Sequence, residues 1–486
     1  MKIRFSEPAE IVQSDSFEVE RHFYEKVINA HAHTLVSFFM NMGKERIVER
    51  YCHLNPLIDP RYLISLIEYK PRYIYWTGTD LFHVTTAEGN KKMVVIETNS
   101  SPSGQKSMPV INEHQEMGGY RRLLEESFLP LINTKRLPKG KLAVIYDKNY
   151  TETSGYAAVL AELTGEEVYL VSSYLGDEDP SLRFVNGIME VRDRDKDWIP
   201  IRAAFRYVTQ KPWNRIPVNT KTFIYNPLIA CLAGGRNKLI AAKAYDMFNA
   251  ELEEEGLKIF TPETIMNVNL KEIPLWVNRF GSHAVIKSPY SNAGQGVYTI
   301  ISEQELGDFM ELEHHYKNFI VQSLVGNHEW STKGSEGKYY HVGTIPNKRK
   351  EIFVSDLRFM IASTREGFKP VAMYARRAKS PLSSKLDDSR QSWDMLGTNL
   401  SIKLKDGWDS DVSRLKLMDR KDFNILGLSL DNLIESYIQS VLSTIALDRM
   451  AVHLINSRKE LNKRLFSSLN PDPVLIKELG SSIRYN

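Results

Sequence analysis

The apolar run Met93-Val94-Val95-Ile96 stops at Glu97-Thr98-Asn99, and a chain that buries such a strand must find partners for the polar side chains at its end. Alternation along a strand puts Glu97 and Asn99 on one face, about 7 Å apart. A carboxylate and an amide oxygen so placed suit a hard cation such as Mg2+, which keeps waters and takes its remaining ligands from phosphates. Tyr73-Ile74-Tyr75-Trp76 lies upstream of the turn Glu88-Gly89-Asn90, so paired strands are expected here. Asp80, near the end of the first strand, is a candidate additional metal ligand and reads equally well as a turn-forming aspartate. Glu460-Leu461-Asn462 has the same spacing in a stretch read as a charged helix, where it is expected to be plain surface.

At 486 residues the chain exceeds what one core organises, so roughly two to four subdomains with a cleft between them are expected. Residues 1–138 read as a helical segment, with Phe17, Phe23, Val27, Leu35, Phe38 and Phe39 at mostly helical intervals, followed by the strands of the metal motif. Pro138-Lys139-Gly140 marks a boundary. In 139–235, Lys141 to Tyr146, a helix near 155–163 and Val168 to Val171 alternate strand, helix, strand, which favours a small parallel sheet. In 236–330 a helix over 236–255 precedes strands at 284–287, 297–300 and 319–322. Residues 331–486 hold an antiparallel meander at 339–345, 352–362 and 370–377, a polar and mobile stretch at 379–395, and C-terminal helices whose buried stripe runs from Leu430 to Ile445. The fold class expected is α/β (α+β).

A net charge of +3 from 63 basic and 60 acidic residues, mixed along the chain, carries no nucleic-acid footprint. Cys52 and Cys231, the only cysteines, are too far apart for a disulfide framework or a thiolate zinc site. The N-terminus lacks the apolar core of a signal peptide and no run reaches the length of a membrane span, so a cytoplasmic protein without a membrane partner is expected.

Lys287-Ser-Pro-Tyr-Ser-Asn-Ala-Gly-Gln-Gly296 sits between two strands. Its small residues let backbone N–H groups approach phosphate oxygens beside a strand-end lysine, although a bland glycine-rich hairpin accounts for the segment equally well. Arg206, Arg358, Arg376 and Arg377 lie in apolar strands, where each needs an anion or a carboxylate. The competing reading is an internal salt bridge, such as Arg358 with Asp356. His31 and His33, two apart on an expected helix, diverge, and His314-His315 lacks a flanking ligand pattern.

Several segments fall in an order that resembles circularly permuted ATP-grasp ligases such as eukaryotic-type glutathione synthetases and, more loosely, glutathionylspermidine synthetases. They are Ile96-Glu97-Thr98-Asn99-Ser100-Ser101-Pro102-Ser103, Phe205-Arg206-Tyr207-Val208, Leu232-Ala233-Gly234-Gly235-Arg236-Asn237-Lys238, Thr261-Pro262-Glu263-Thr264, the loop from Lys287 to Gly296, and Val321-Gln322-Ser323. Asp356-Leu357-Arg358 and Ala375-Arg376-Arg377-Ala378-Lys379 also resemble motifs of ribosomal-protein glutamate ligases. The resemblance implies an ATP-grasp fold in permuted chain order with a small Rossmann-like domain. It implies a homodimer that joins a small-molecule carboxylate, an amino acid or short peptide, to an amine through an acyl-phosphate, releasing ADP.

By the same resemblance ATP would meet Lys238, Lys287, Ser291, Asn292, Gly294, Gln295, Gly296 and Gln322, and Mg2+ would meet Glu97, Asn99 and Asp80. Arg206, Ser101 and Ser103 would hold the acid substrate, and Arg358, Arg376 and Arg377 the transferring phosphate. The chain departs from the family in three places. Ser291 or Asn292 stands where glutathione synthetases carry an acidic metal ligand, Gly78-Thr79-Asp80 lacks the arginine before the aspartate, and Ser380 to Trp393 replaces an alanine- and glycine-rich substrate loop. These departures keep two rivals open, an ATP-binding scaffold or regulatory protein and a small-molecule kinase.

Overall fold

The computed structural model describes residues 6–112, 115–174, 176–209, 215–291, 296–386, 391–404 and 407–480. Asn292, Gly294 and Gln295 lie outside the described residues.

The architecture is mixed α/β, with several sheets and helices. Strand Lys91–Ser100 pairs antiparallel with Trp76–Thr85, which pairs with Ser355–Thr364, which in turn pairs with Gly367–Arg377. A sheet of such long strands needs a large apolar cover. Helix Leu430–Leu454 supplies it, held at its start by a reciprocal Ser429/Asn432 cap. Its inner face is not purely apolar. Thr444 Oγ1 lies 2.6 Å from Thr77 Oγ1, and Ser443 Oγ accepts from Thr98 Oγ1 at 3.0 Å, so the hydroxyls that this short polar strand segment buries are satisfied by hydroxyls on the helix.

A second sheet contains the parallel strands Val168–Ser172, Lys141–Tyr146, Trp198–Tyr207 and Phe223–Tyr225, with helix Tyr150–Thr164 connecting the first two in sequence. Parallel neighbours need such a crossover, because a hairpin cannot reverse twice. Strand Glu10–Val12 adds an antiparallel edge to Val168–Ser172, so the N-terminal seventy residues are not wholly helical; three residues are too few to carry a readable period.

The third sheet is antiparallel, in the order Thr264–Asn269, Asn318–Ser323, Ala284–Lys287, Val297–Ile300. It has its own core of Val268, Ile286, Phe309, Phe319 and Val321. Helix Lys238–Leu252 packs against the long C-terminal helix.

Two local expectations are corrected. His33 is not inside a helix: its Nδ1 caps Thr34–Met40 by accepting from the Leu35 N–H at 3.1 Å. Glu460 to Asn462 is not helical either, and Asn462 caps Lys463–Leu469. Among the described residues, no helix is long and apolar enough to cross a membrane.

Candidate functional site

Cross-strand register assembles the first part of the site. Asp80 stands opposite Glu97 on one side and Arg358 on the other, Arg358 opposite Tyr374, Asp356 opposite Arg376, and Asn99 opposite Gly78. Directly paired residues share a face, as do residues two apart. Glu97, Asn99, Asp80, Asp356, Arg358, Tyr374 and Arg376 therefore project from one side of the sheet.

Within this row the charges are largely spent on each other. Asp80 accepts from Arg358 through both oxygens, at 2.6 and 2.7 Å, and lies 3.0 Å from Arg376. Arg376 also donates to Asp356, through Nε at 3.0 Å and through Nη2. Burial alone would raise the Asp80 carboxyl, but the two guanidiniums outweigh it and hold it at about 2. Both Asp80 oxygens are thus committed to cations, and this residue, expected as a metal ligand, instead anchors an arginine. Arg358 has the internal partner that burial demands, and that partner is Asp80 rather than its chain neighbour Asp356. Arg377 is not brought into the row: alternation turns it to the other face, where its guanidinium lies 4.2 Å from the centre of the Phe353 ring.

Beyond Glu97 the sheet borders a cleft of ≈ 520 Å³, counting the solvent at its mouth. Glu97, Lys238, Asp246, Lys287 and Gln322 are among its polar residues, and Ile96 and Ile320 among its apolar ones. Lys238 is the first residue of its helix, which Asn237 caps. Its N–H donates to Pro289 O at 2.9 Å, and its Nζ to Ser291 O at 3.2 Å and Ser291 Oγ at 2.9 Å. The same Nζ lies 3.7 Å from Glu97 Oε1. Lys287 ends its strand, where the Ser288 N–H donates to Gly296 O at 2.7 Å and closes the base of the loop. Burial pushes Lys287 down to about 8; Lys238 adds to the fall, while Glu97 and Asp80 oppose it. Gln322 donates through Nε2 to Thr264 Oγ1 at 2.7 Å.

The donors available to a hard cation are fewer than the sequence suggested. Glu97 has Lys238 as its one ion-pair partner among the described residues. Asn99 Oδ1 already accepts from Arg236 Nη1 at 2.9 Å, and its buried Nδ2 has no partner. Among the described residues, no three His, Cys, Asp or Glu side chains converge on one point. Glu97 would fit a Mg2+ that drew most of its ligands from phosphate and water; the Asn99 oxygen could join it only by giving up its bond from Arg236.

Past Asn99 the chain enters the serine loop. Ser101 adopts a positive φ of 50° and its buried Oγ has no partner. Gly104 has φ 149°, and a Cβ there would stand 2.3 Å from Tyr374 and Met360, so only glycine fits. Glu152, wholly buried near the start of helix Tyr150–Thr164, holds this turn. It accepts from Ser103 Oγ at 2.7 Å, the Gly104 N–H at 2.9 Å, the Gln105 N–H at 3.0 Å, Asn149 Nδ2 at 2.8 Å and Tyr156 OH at 3.2 Å. Ser103 therefore spends its hydroxyl proton on Glu152. Arg206 is wholly buried and turned onto the protein itself, donating to Asn226 O at 2.5 Å, to Val208 O and to Cys231 Sγ at 3.4 Å; its Nη2 has no partner. Backbone carbonyls, rather than an anion, meet its charge.

The structure adds three charged residues not singled out from the sequence, Arg236, Glu152 and Lys148. Arg236 lay inside a segment already noted for Lys238. Lys148 follows a parallel strand at its carboxyl end, the edge where such sheets bind ligands, and that position is the signal that could have found it.

No protein-family model matches the chain, and no curated protein matches it in sequence. Among solved structures it is similar to a glutathione synthetase-like effector from Globodera pallida in its apo form, at 9% identity and TM-score 0.39, covering 71% of this chain and 82% of that one. It is also similar to a RimK domain ATP-grasp protein from Sphaerobacter thermophilus, at 13% identity and TM-score 0.28, covering 48% and 90%. A third similarity is to D-alanyl-alanine synthetase A from Vibrio cholerae, at 11% identity and TM-score 0.27, covering 48% and 87%. At such distances the chemistry is judged from this chain's own side chains.

Proposed function

We propose that the protein is an ATP-dependent carboxylate–amine ligase with an ATP-grasp fold in permuted chain order, acting on a small acid and a small amine through an acyl-phosphate. One observation carries this reading: Glu97, Lys238, Lys287 and Gln322, spread over more than two hundred positions, line one cleft. Gln322 and the apolar wall suit a purine ring, and the two lysines suit its phosphates. For Lys238 to meet a phosphate it must exchange its contacts with Ser291, so nucleotide binding is coupled to the base of the loop. Mg2+ held by Glu97, and by Asn99 after Arg236 lets go, would offset charge on the β- and γ-phosphate oxygens.

The chemistry needs positioning more than a base. A carboxylate oxygen of the acid bonds to the γ-phosphorus while the bond to the β-phosphate oxygen breaks, releasing ADP. The amine nitrogen then bonds to the acyl carbon, inorganic phosphate leaves with the bonding electrons, and the surplus amine proton passes to phosphate or water. Lys287, Lys238 and the Arg358–Arg376 pair would offset the developing negative charge.

An ATP-binding scaffold is the second reading. It is favoured by one specific observation, that Arg358 takes both Asp80 oxygens and Arg236 the Asn99 oxygen, so that of the three expected metal ligands Glu97 alone has no arginine on it. Incubation with ATP, Mg2+, hydroxylamine and a panel of amino acids and short peptides decides between these. A ligase gives hydroxamate and ADP with its acid alone, a hydroxyl kinase gives ADP without hydroxamate, and a scaffold gives neither.

A further inference from the structure

The third sheet hangs from one point. The chain enters it at Thr264 and leaves it at Ser323, and the two crossings are tied together: Thr264 pairs with Gln322, and the Ser323 N–H donates to Glu263 O at 2.9 Å. A unit with its own core, joined to the rest of the chain through adjacent residues, can turn about them unless its far side is held. In the strand order the two hinge strands, Thr264–Asn269 and Asn318–Ser323, lie at one side and Val297–Ile300 at the other. The unit also touches the rest of the molecule through Lys238, which bonds Pro289 and Ser291, and through His315 with Glu478 at the surface. The contacts with the most leverage on its rotation are those at the far edge.

There the short helix Ser392–Leu396 lies against Val297–Ile300. Ser392 Oγ donates to Thr299 O at 3.0 Å and accepts from Thr299 Oγ1, and the Ser392 N–H donates to Glu305 Oε1 at 3.0 Å. The other Glu305 oxygen accepts from the Ile301 N–H at 2.9 Å, so one carboxylate joins the edge of the sheet to the helix through charge-assisted bonds. The helix itself is anchored on the central sheet. The Ser380 N–H donates to Asp394 O at 2.8 Å, Lys379 Nζ lies 2.8 Å from Asp394 Oδ2, and the Ala378 and Leu382 N–H groups donate to Val354 O at 2.8 Å and Ile352 O at 2.7 Å. Side chains repeat the connection: Val285 and Ile301 of the third sheet share one apolar cluster with Phe82 and Val354 of the central sheet and with Met395 and Leu396 of the helix. Val285 and Lys287 are two apart on one face of their strand, about 7 Å from each other. Whatever moves the cluster therefore moves the cleft lysine.

We propose that Ser392, Thr299 and Glu305 form a latch that holds the third sheet shut over the cleft in the empty protein, so that a ligand enters and leaves the cleft when the latch opens. That the ligand is a nucleotide rests on the ligase reading; the latch itself does not.

The variant Thr299→Cys with Ser392→Cys tests the latch, since the two hydroxyls it replaces are in contact. Mild oxidation should cross-link it, and stopped-flow binding of a fluorescent ATP with Mg2+ should then show association and release each slowed roughly tenfold relative to the same protein reduced, because opening gates both directions. Glu305→Ala with Ser392→Ala should speed both. A pair that fails to cross-link, or that exchanges nucleotide equally fast oxidised and reduced, overturns the latch. Should the parent protein bind no nucleotide, the ligase reading falls and the latch is judged on distance alone. Spin labels on Lys271→Cys, in the third sheet's unit, and Lys348→Cys, outside it, in a Cys52→Ser background, should give a narrow distance distribution that Glu305→Ala with Ser392→Ala shifts or broadens by several ångström; an unchanged distribution overturns the latch whether or not nucleotide binds.

Discussion

On the proposed function, binding of ATP should draw a proton from solvent, with Lys287 setting how much. In the unliganded protein this lysine sits at about 8 against an ordinary value of 10.5, because burial strips its hydration by more than Glu97 can repair, with Lys238 opposing Glu97 and Asp80 adding to it. At pH 8.5 a group of that pKa holds only about a quarter of a proton. A phosphate drawn against the ammonium supplies the missing countercharge and returns the pKa towards its ordinary value, so about three quarters of a proton is taken up per ATP at pH 8.5 and about a tenth at pH 7. The γ-phosphate is already ionised at the higher pH and does not confuse the count. Calorimetric titration with ATP in two buffers of different ionisation enthalpy measures the uptake directly. Lys287→Met should abolish it and Lys148→Met should leave it, although both lysines sit near 8. An uptake that is the same at pH 7 and 8.5, or that survives Lys287→Met, refutes the placement of phosphate against this lysine.

Three other outcomes are expected. Glu97→Gln removes the cleft carboxylate that faces Lys238 and should abolish ADP formation while thermal unfolding stays within a few degrees of the parent; retained turnover would remove its metal role. Asp80→Asn leaves Arg358 buried without its counter-ion and should cost about 3 to 5 kcal/mol in urea unfolding at neutral pH. Because the Asp80 carboxyl is held below its ordinary value, its contribution of about 2 kcal/mol is fully present above pH 4 and is lost as pH falls through 2; the gap between wild type and Asp80→Asn should narrow by that amount on acidification. Glu152→Gln puts an amide N–H2 among five donors and should cost about 2 kcal/mol, with faster hydrogen exchange at the Gly104 and Gln105 amides than elsewhere in the molecule.

Where the sequence was legible, a local rule was enough. Ala284–Lys287, Val297–Ile300 and Lys141–Tyr146 were read to the residue, because each is an unbroken β-prone run bounded by glycine or polar residues. Strand Trp76–Thr85 was not, since its Thr77-Gly78-Thr79-Asp80 half looks like a turn until the hydroxyls of the C-terminal helix and the guanidinium of Arg358 are there to satisfy it. Strand alternation placed Glu97 and Asn99 on one face from the chain alone, and the same rule would have separated Arg377 from Arg376 had it been applied there.

What no local rule can supply is a charge sum. Arg358 meets Asp80 across a separation of 278 positions, and its sequence neighbour Asp356 goes to Arg376 instead, so a reader pairing by proximity in sequence reaches the right chemistry with the wrong partner. The same limit hides Arg236, which nothing marks out until its hydrogen bonds to Asn99 Oδ1 and to the Ser100 and Ser101 carbonyls are seen. An arginine in an apolar strand therefore says only that an anion exists; whether the protein or its substrate provides it is decided by the fold. Here Arg206, Arg358 and Arg376 are all answered internally, the first by backbone carbonyls and the other two by Asp80 and Asp356.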